Sequence, residues 1–212
     1  MNSHLTNCNE CVLLAADADS YSAFKDIYPR LGVSLDTVRI LHTTEYIDEL
    51  ITSGKLSLAL ENDIKVALHD SCRLGRRSET FEPWEGSWIR VLNTMAVPDS
   101  PRPVRFGNHG NYETPRRLLS RIQGLELVEL ERNRQFAYCC GGGAGVKDAY
   151  PEMADMAALN CLREAESTGV DVLISGSACC QRNMTEAAQR HDVSGSVRGL
   201  FDVLSEAISE RA

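Results

Sequence analysis

No apolar run in the 212 residues approaches the roughly 18 to 20 that a membrane span needs, so none is expected. Met1-Asn2-Ser3-His4 has neither the basic nor the apolar region of a secretory signal, and a cytoplasmic location is expected with it. Positive charge is scarce: 22 Lys and Arg stand against 30 Asp and Glu, a formal charge of -8. The one arginine-rich stretch, Arg73 to Arg77, is too short to make a basic stripe. That balance excludes a general nucleic-acid binder. With 43% hydrophobic and 25% charged residues, the chain has the composition of an ordinary globular protein able to bury a core.

Cysteine is plentiful by contrast. Eight thiols without a secretory signal favour metal-binding or redox chemistry over a disulfide framework. The densest group is Tyr138-Cys139-Cys140-Gly141-Gly142-Gly143-Ala144-Gly145-Val146. Adjacent cysteines in regular structure point apart, so both sulfurs serve one centre only where the backbone bends sharply. The glycines permit that bend and the close approach of a bulky ligand. An iron–sulfur cluster suits such a pair better than one zinc ion; the other reading is two buried cysteines beside a flexible turn. Cys8-Asn9-Glu10-Cys11 has the spacing that grips one metal ion or forms a redox-active disulfide, but too few residues precede Cys8 for a thioredoxin-type βα unit.

Along the chain, Val12 to Tyr28 has helical spacing and stops at Tyr28-Pro29-Arg30-Leu31-Gly32. Val38 to His42 reads as a strand, after which Thr43 or Thr44 caps a helix through Ile51. Ile64 to His69 reads as a strand that delivers His69-Asp70-Ser71-Cys72 to its carboxyl end, where open α/β sheets bind ligands. His69 suits a ligand, a proton carrier, a thiolate partner or a hydrogen-bonded structural histidine. Residues 78 to 110 form a Pro/Gly-rich excursion with both tryptophans, expected to be a surface insertion that covers the site or meets a partner. Trp84 and Trp88 have the spacing to anchor a short helix. A helix over Tyr112 to Ile122, begun near Thr114-Pro115 and closed at Gly124, a strand from Leu125 to Leu130 and a helix from Pro151 to Thr168 follow. Asp171 to Ser175 is a buried strand leading to Ser177-Ala178-Cys179-Cys180, and helices over about Gln181 to Gln189 and Ser196 to Ile208 close the chain. The alternation predicts an α/β fold: a mainly parallel sheet with helices on both faces, three-layered and Rossmann-like. Cys72, Cys139-Cys140 and Cys179-Cys180 then leave strands at the same sheet edge and can converge, while Cys161 reads as a buried structural cysteine.

His69-Asp70-Ser71-Cys72-Arg73-Leu74-Gly75-Arg76, Tyr112-Glu113-Thr114-Pro115-Arg116-Arg117-Leu118-Leu119, Cys139-Cys140-Gly141-Gly142-Gly143 and a cysteine before Gln181-Arg182-Asn183 together resemble the cysteine-rich CCG domain. That domain occurs in the B-type subunit of heterodisulfide reductase and in related iron–sulfur oxidoreductases. The resemblance spans nearly the whole chain outside residues 78 to 110. It implies two regions: residues 1–63 as the tail of a first copy and a linker, and residues 64–212 as a CCG-type domain interrupted by the insertion. Cys8 and Cys11 match the closing CxxC of a first copy, and Cys72, Cys139, Cys140 and Cys180 match ligands of the second. Ser177 stands where the closing pair expects its first cysteine, Cys179 is extra, and 67 residues separate Cys72 from Cys139.

The cofactor so implied is a 4Fe-4S cluster of non-cubane type that relays electrons to a disulfide, thiol or quinone-type acceptor, with Cys179 as a candidate fifth ligand. The alternative is a zinc-binding structural or assembly protein of such a complex, since a copy of the repeat can hold zinc, and Cys8 and Cys11 belong to the metal-binding set. The partners implied are other iron–sulfur or flavin subunits of an oxidoreductase complex, with a separate chain supplying the missing first copy.

Overall fold

The computed structural model describes residues 11–209. A two-stranded parallel sheet comes first, β1 (Cys11–Ala15) beside β2 (Val38–His42), with register Cys11 to Val38 and Ala15 to His42. The helical spacing from Val12 misled here. Leu13 and Leu14 pair with Ile40 and Leu41, so the order is strand, helix, strand, helix. The first helix, α1, spans residues 18–30 and includes a π-helical turn at Ala23–Ile27. Asp17 caps it by accepting from the Ser20 N–H at 2.9 Å. Helix α2 (Thr43–Thr52) is capped by His42, neither threonine, with Glu45 closing a reciprocal box onto the His42 N–H at 2.8 Å.

The main sheet holds β6 (Gln123–Val128), β3 (Ser57–His69), β7 (Val172–Ser175) and β8 (Ser196–Gly199) in that order, all parallel; the short β9 (Ile208–Ser209) runs antiparallel to the start of β3. β3 begins well before Ile64, because a register shift between Ala59 and Ile64 absorbs the polar interruption and lets pairing resume. Ser196 opens a strand, where a helix was expected: β8 pairs with β7 before α7 (Leu200–Ala207) starts.

Side chains alternate across β3 and β7, and each face is covered. Val66, Leu68, Val172 and Ile174 pack with Leu118, Leu119 and Ile122 from α3 (Glu113–Ser120) and its end, and with Leu200, Val203 and Leu204 of α7. Ala67 and Leu173 face the other way, onto Ala158, Cys161, Leu162 and Ala165 of α5 (Pro151–Ser167) and Met184 and Ala187 of α6 (Ala178–His191). The short α4 (Val146–Ala149) precedes α5. Period two puts His69 on the Ala67 face, toward α5 and α6.

The insertion forms an exposed antiparallel hairpin, β4 (Trp88–Val91) with β5 (Met95–Pro98); Trp84 and Trp88 meet edge to face at 5.3 Å, and Trp88 is in a strand, not a helix. Its return is tied to α1: Arg105 binds Asp26 and the Glu79 carbonyl, and Glu79 accepts the Gly107 N–H at 2.9 Å. Among the described residues, no helix is long and apolar enough to cross a membrane.

Candidate metal centre

Parallel pairing aligns His69 with Ser175, so β3 and β7 end side by side. Cys72 follows β3 within one turn, and α6 starts directly after β7 with Cys179 and Cys180 in its first turn. The Cys139-Cys140 loop arrives from β6 over the same ends, held by two cradling residues. Asn183, buried on α6, donates to the Cys140 carbonyl at 2.7 Å and the Ala154 carbonyl at 3.0 Å. Arg76 donates to the Gln135 and Ala137 carbonyls at 2.9 and 2.6 Å.

The glycines serve this packing. Gly141 sits at φ 76°, and a Cβ there would lie 2.8 Å from the Ala154 Cα; one at Gly142 would lie 2.9 Å from the Asn183 Cβ. The loop threads between α5 and α6, and close approach to these helices requires glycine at these two positions. The same turn aims N–H groups at sulfur, from Gly141 to Cys139 Sγ and from Gly142 to Cys140 Sγ, each at 3.4 Å.

The thiols form one connected string. Cys72 is electrostatically coupled to Cys139, Cys139 to Cys140, Cys140 to Cys180, and Cys180 to His69, which also couples to Cys161. Cys139 is driven down to about 2 by hydrogen bonds from Cys140 and Cys72, with the Gly141 amide and Arg76 adding to them. Cys180 falls to about 4 through its bond with Cys140, against the cost of burial, helped by His69 and the Ser177 hydroxyl. Cys72 and Cys140 are pushed up, chiefly by bonding to the Cys139 thiolate. For His69, burial opposes the charged form, but the Cys161 and Cys180 thiols outweigh it and raise its pKa. The first turn of α6 adds its dipole to the stabilisation of the Cys180 thiolate.

Helix geometry separates the neighbours Cys179 and Cys180. Cys180 is 4% exposed and faces inward, whereas Cys179 is half-buried and donates to the Gly142 carbonyl at 2.9 Å. Cys179 instead lines a cavity of about 300 Å³ with Lys147 and Arg182, and another of about 370 Å³ with Asp17, Asp19 and Asp202. A larger cavity, about 460 Å³, lies at the amino ends of the strands beside Lys65, Glu126 and Asp171 and has no cysteine in its lining. Cys161, 1% exposed, packs in the core, donates to the Cys139 carbonyl at 3.8 Å and is coupled to His69. Cys8 lies outside the described residues; Cys11, expected among the metal-binding thiols, is disulfide-bonded instead and opens β1, at the end of that strand away from the Ala16–Asp19 turn that lines a cavity with Cys179.

Reading the motifs residue by residue missed what holds the site in place. Asp70 is gripped by Arg116 through two bonds of 2.7 Å and accepts the Arg134 N–H at 2.6 Å. The only trace in the sequence is that Asp70 and Arg116 both fall inside the motifs quoted above. Three loops that present coupled thiols, with backbone amides on sulfur and a buried imidazole nitrogen left without a hydrogen-bond partner, suit a soft, thiolate-bound metal.

An α/β domain with a thiol centre at its strand ends is thus defined. The chain matches the family model of the cysteine-rich CCG domain over residues 105–185. It is similar to the D-type subunit of dihydromethanophenazine:CoB–CoM heterodisulfide reductase from Methanosarcina acetivorans, 29% identical over 92% of this chain and 40% of that protein. A probable iron–sulfur-binding oxidoreductase, FadF, of Bacillus subtilis is 26% identical over 91% of this chain and 22% of its own length. The B-type subunit of the CoM/CoB fumarate reductase of Methanothermobacter marburgensis is 25% identical over 89% and 31%. The chain spans about two-fifths of the length of the heterodisulfide reductase proteins it matches. Those heterodisulfide reductase proteins are of the D type, where the motif resemblance implied the B type.

Proposed function

We propose that this chain is the cluster-binding part of an iron–sulfur oxidoreductase, resembling the B-type subunit of heterodisulfide reductase, in a cytoplasmic complex with other iron–sulfur or flavin subunits. Cys72, Cys139, Cys140 and Cys180 hold a 4Fe-4S cluster of non-cubane type, which supplies one-electron chemistry toward a disulfide, thiol or quinone-type acceptor. The observation that carries this reading is the unbroken thiol string from Cys72 to Cys180, gathered from three separate loops. Amides of Gly141 and Gly142 stabilise charge on sulfur, and the Cys179 cavity with Lys147 and Arg182 offers an acceptor a route beside the centre. Residues 64–212 form the cluster domain in this reading, and residues 1–63, with Cys8 and Cys11, the tail of a preceding copy.

Zinc is the second reading, favoured by one observation: a His69 ring nitrogen and the sulfurs of Cys140 and Cys180 all lie within 4.8 Å of one another, a mixed nitrogen and sulfur set. Anaerobic purification with iron, sulfide and zinc analysis decides between them. A brown protein with matched iron and sulfide supports the cluster; a colourless protein carrying zinc alone overturns it.

A further inference from the structure

The closing cysteine pair is one thiolate short, because Ser177 occupies the first place and Cys179 turns away from the string. A different donor stands beside the gap. His69 is 2% exposed, on the α5 and α6 face of β3, and its Nε2 has no hydrogen-bond partner. One of its ring nitrogens lies within 4.8 Å of both the Cys140 and Cys180 sulfurs. Burying an imidazole nitrogen without a partner costs on the order of 1–3 kcal/mol, and thiols compensate it poorly. Donors around one metal ion stand roughly 3.5–4 Å apart, given bonds of about 2.0 Å to nitrogen and 2.3 Å to sulfur. The separation here needs only a small inward movement.

The surroundings hold the ring in place. His69 closes β3 opposite Ser175, and the next residue, Asp70, is fixed by Arg116 and by the Arg134 N–H. Cys161, on α5, is coupled to the ring. The imidazole is therefore built into the sheet end as firmly as the cysteines are into their loops.

We infer that His69 is a metal ligand, a nitrogen donor that joins Cys72, Cys139, Cys140 and Cys180 and takes the place left by Ser177. This rests on the metal-centre reading above and adds a residue that the cysteine motifs do not contain. A nitrogen ligand in place of a thiolate removes negative charge from the centre and raises its reduction potential.

The test uses the full chain purified without oxygen from cells fed either ordinary or ¹⁵N-labelled histidine. Iron and sulfide content are measured first, then nitrogen couplings by pulsed electron paramagnetic resonance in the paramagnetic oxidation state. The expected result is a strong coupling that changes with the label and disappears in His69→Asn, with a lower midpoint potential in His69→Cys. An iron- and sulfide-loaded protein with no label-dependent coupling overturns the His69 ligand and leaves the iron–sulfur reading standing. A protein holding zinc without sulfide overturns the iron–sulfur reading; cobalt(II) put in zinc's place then reports the same histidine nitrogen, present or absent. A chain that binds neither metal overturns both. The labelling arm needs no variant, so misfolding of a substituted protein does not blunt it.

Discussion

Arg116 and Asp70 meet in a two-pronged ion pair, both bonds 2.7 Å, with side chains only 7% and 3% exposed, 46 positions apart in sequence. The pair ties α3 to the end of β3 next to His69 and Cys72. The guanidinium is filled further by Glu129, at 2.7 and 2.9 Å, so its other face is satisfied too. Removing one partner strands a buried charge, which costs about 3–5 kcal/mol. Asp70→Asn and Arg116→Met are each expected to lose about that much in denaturant unfolding. The double variant should lose less than the sum, as coupled neighbours do. Additive losses would show that the two residues act independently.

Acid should weaken the fold through His42. This ring is fully buried, accepts from the Thr44 N–H, and packs edge-on to Tyr21. Burial pushes its pKa down to about 4, with only partial opposition from Asp17. An unfolded histidine titrates near about 6.5. Between those values the unfolded chain binds a proton that the folded chain refuses, so stability is full above about pH 6.5 and is lost as pH falls toward about 4. The loss amounts to about 3 kcal/mol at about 1.4 kcal/mol per unit. His42→Asn keeps a capping side chain and should flatten that dependence in unfolding curves taken at about pH 7 and about pH 4.5. A wild-type curve flat across the interval would refute the assignment.

Gly141 and Gly143 should differ sharply on substitution although they are two positions apart. Gly141→Ala meets both a left-handed backbone and the α5 helix, and is expected to cost at least about 2 kcal/mol. Gly143 has nothing within 4 Å and no positive φ, so its alanine variant should stay within about 0.5 kcal/mol of the parent. Equal melting temperatures for the two variants would contradict the threading of this loop between helices.

Adjacent cysteines provide the sharpest contrast at the site. Cys180→Ser removes an inward thiolate and should lose most of the iron, whereas Cys179→Ser should keep it, because that thiol addresses the Gly142 carbonyl and the cavities outside. Cys179 should also react with a thiol reagent before Cys180 does, as its exposure allows. Loss of iron in both variants would place Cys179 in the ligand set, despite the helix that turns it outward.

Local pattern and composition carried much of this. Alternating apolar strands and amphipathic helices determined an α/β sheet covered on both faces, because burial demands one periodicity for each element. The placement of Cys72, Cys139-Cys140 and Cys180 on loops at one sheet edge was legible as a candidate site, since parallel strands deliver their carboxyl ends to one edge. The first strand and β8 were illegible: Val12 to Leu14 and Ser196 to Gly199 are short, and only pairing with Ile40 and Leu173 neighbours makes them strands. Tertiary structure alone decided that His69 shares a face with Ala67 and meets Cys180, and that Arg116 holds Asp70. It also decided that Cys179 looks out while Cys180 looks in. Each of these depends on where an element begins and how it rotates against a distant one, and a side chain's direction changes with every residue of that choice.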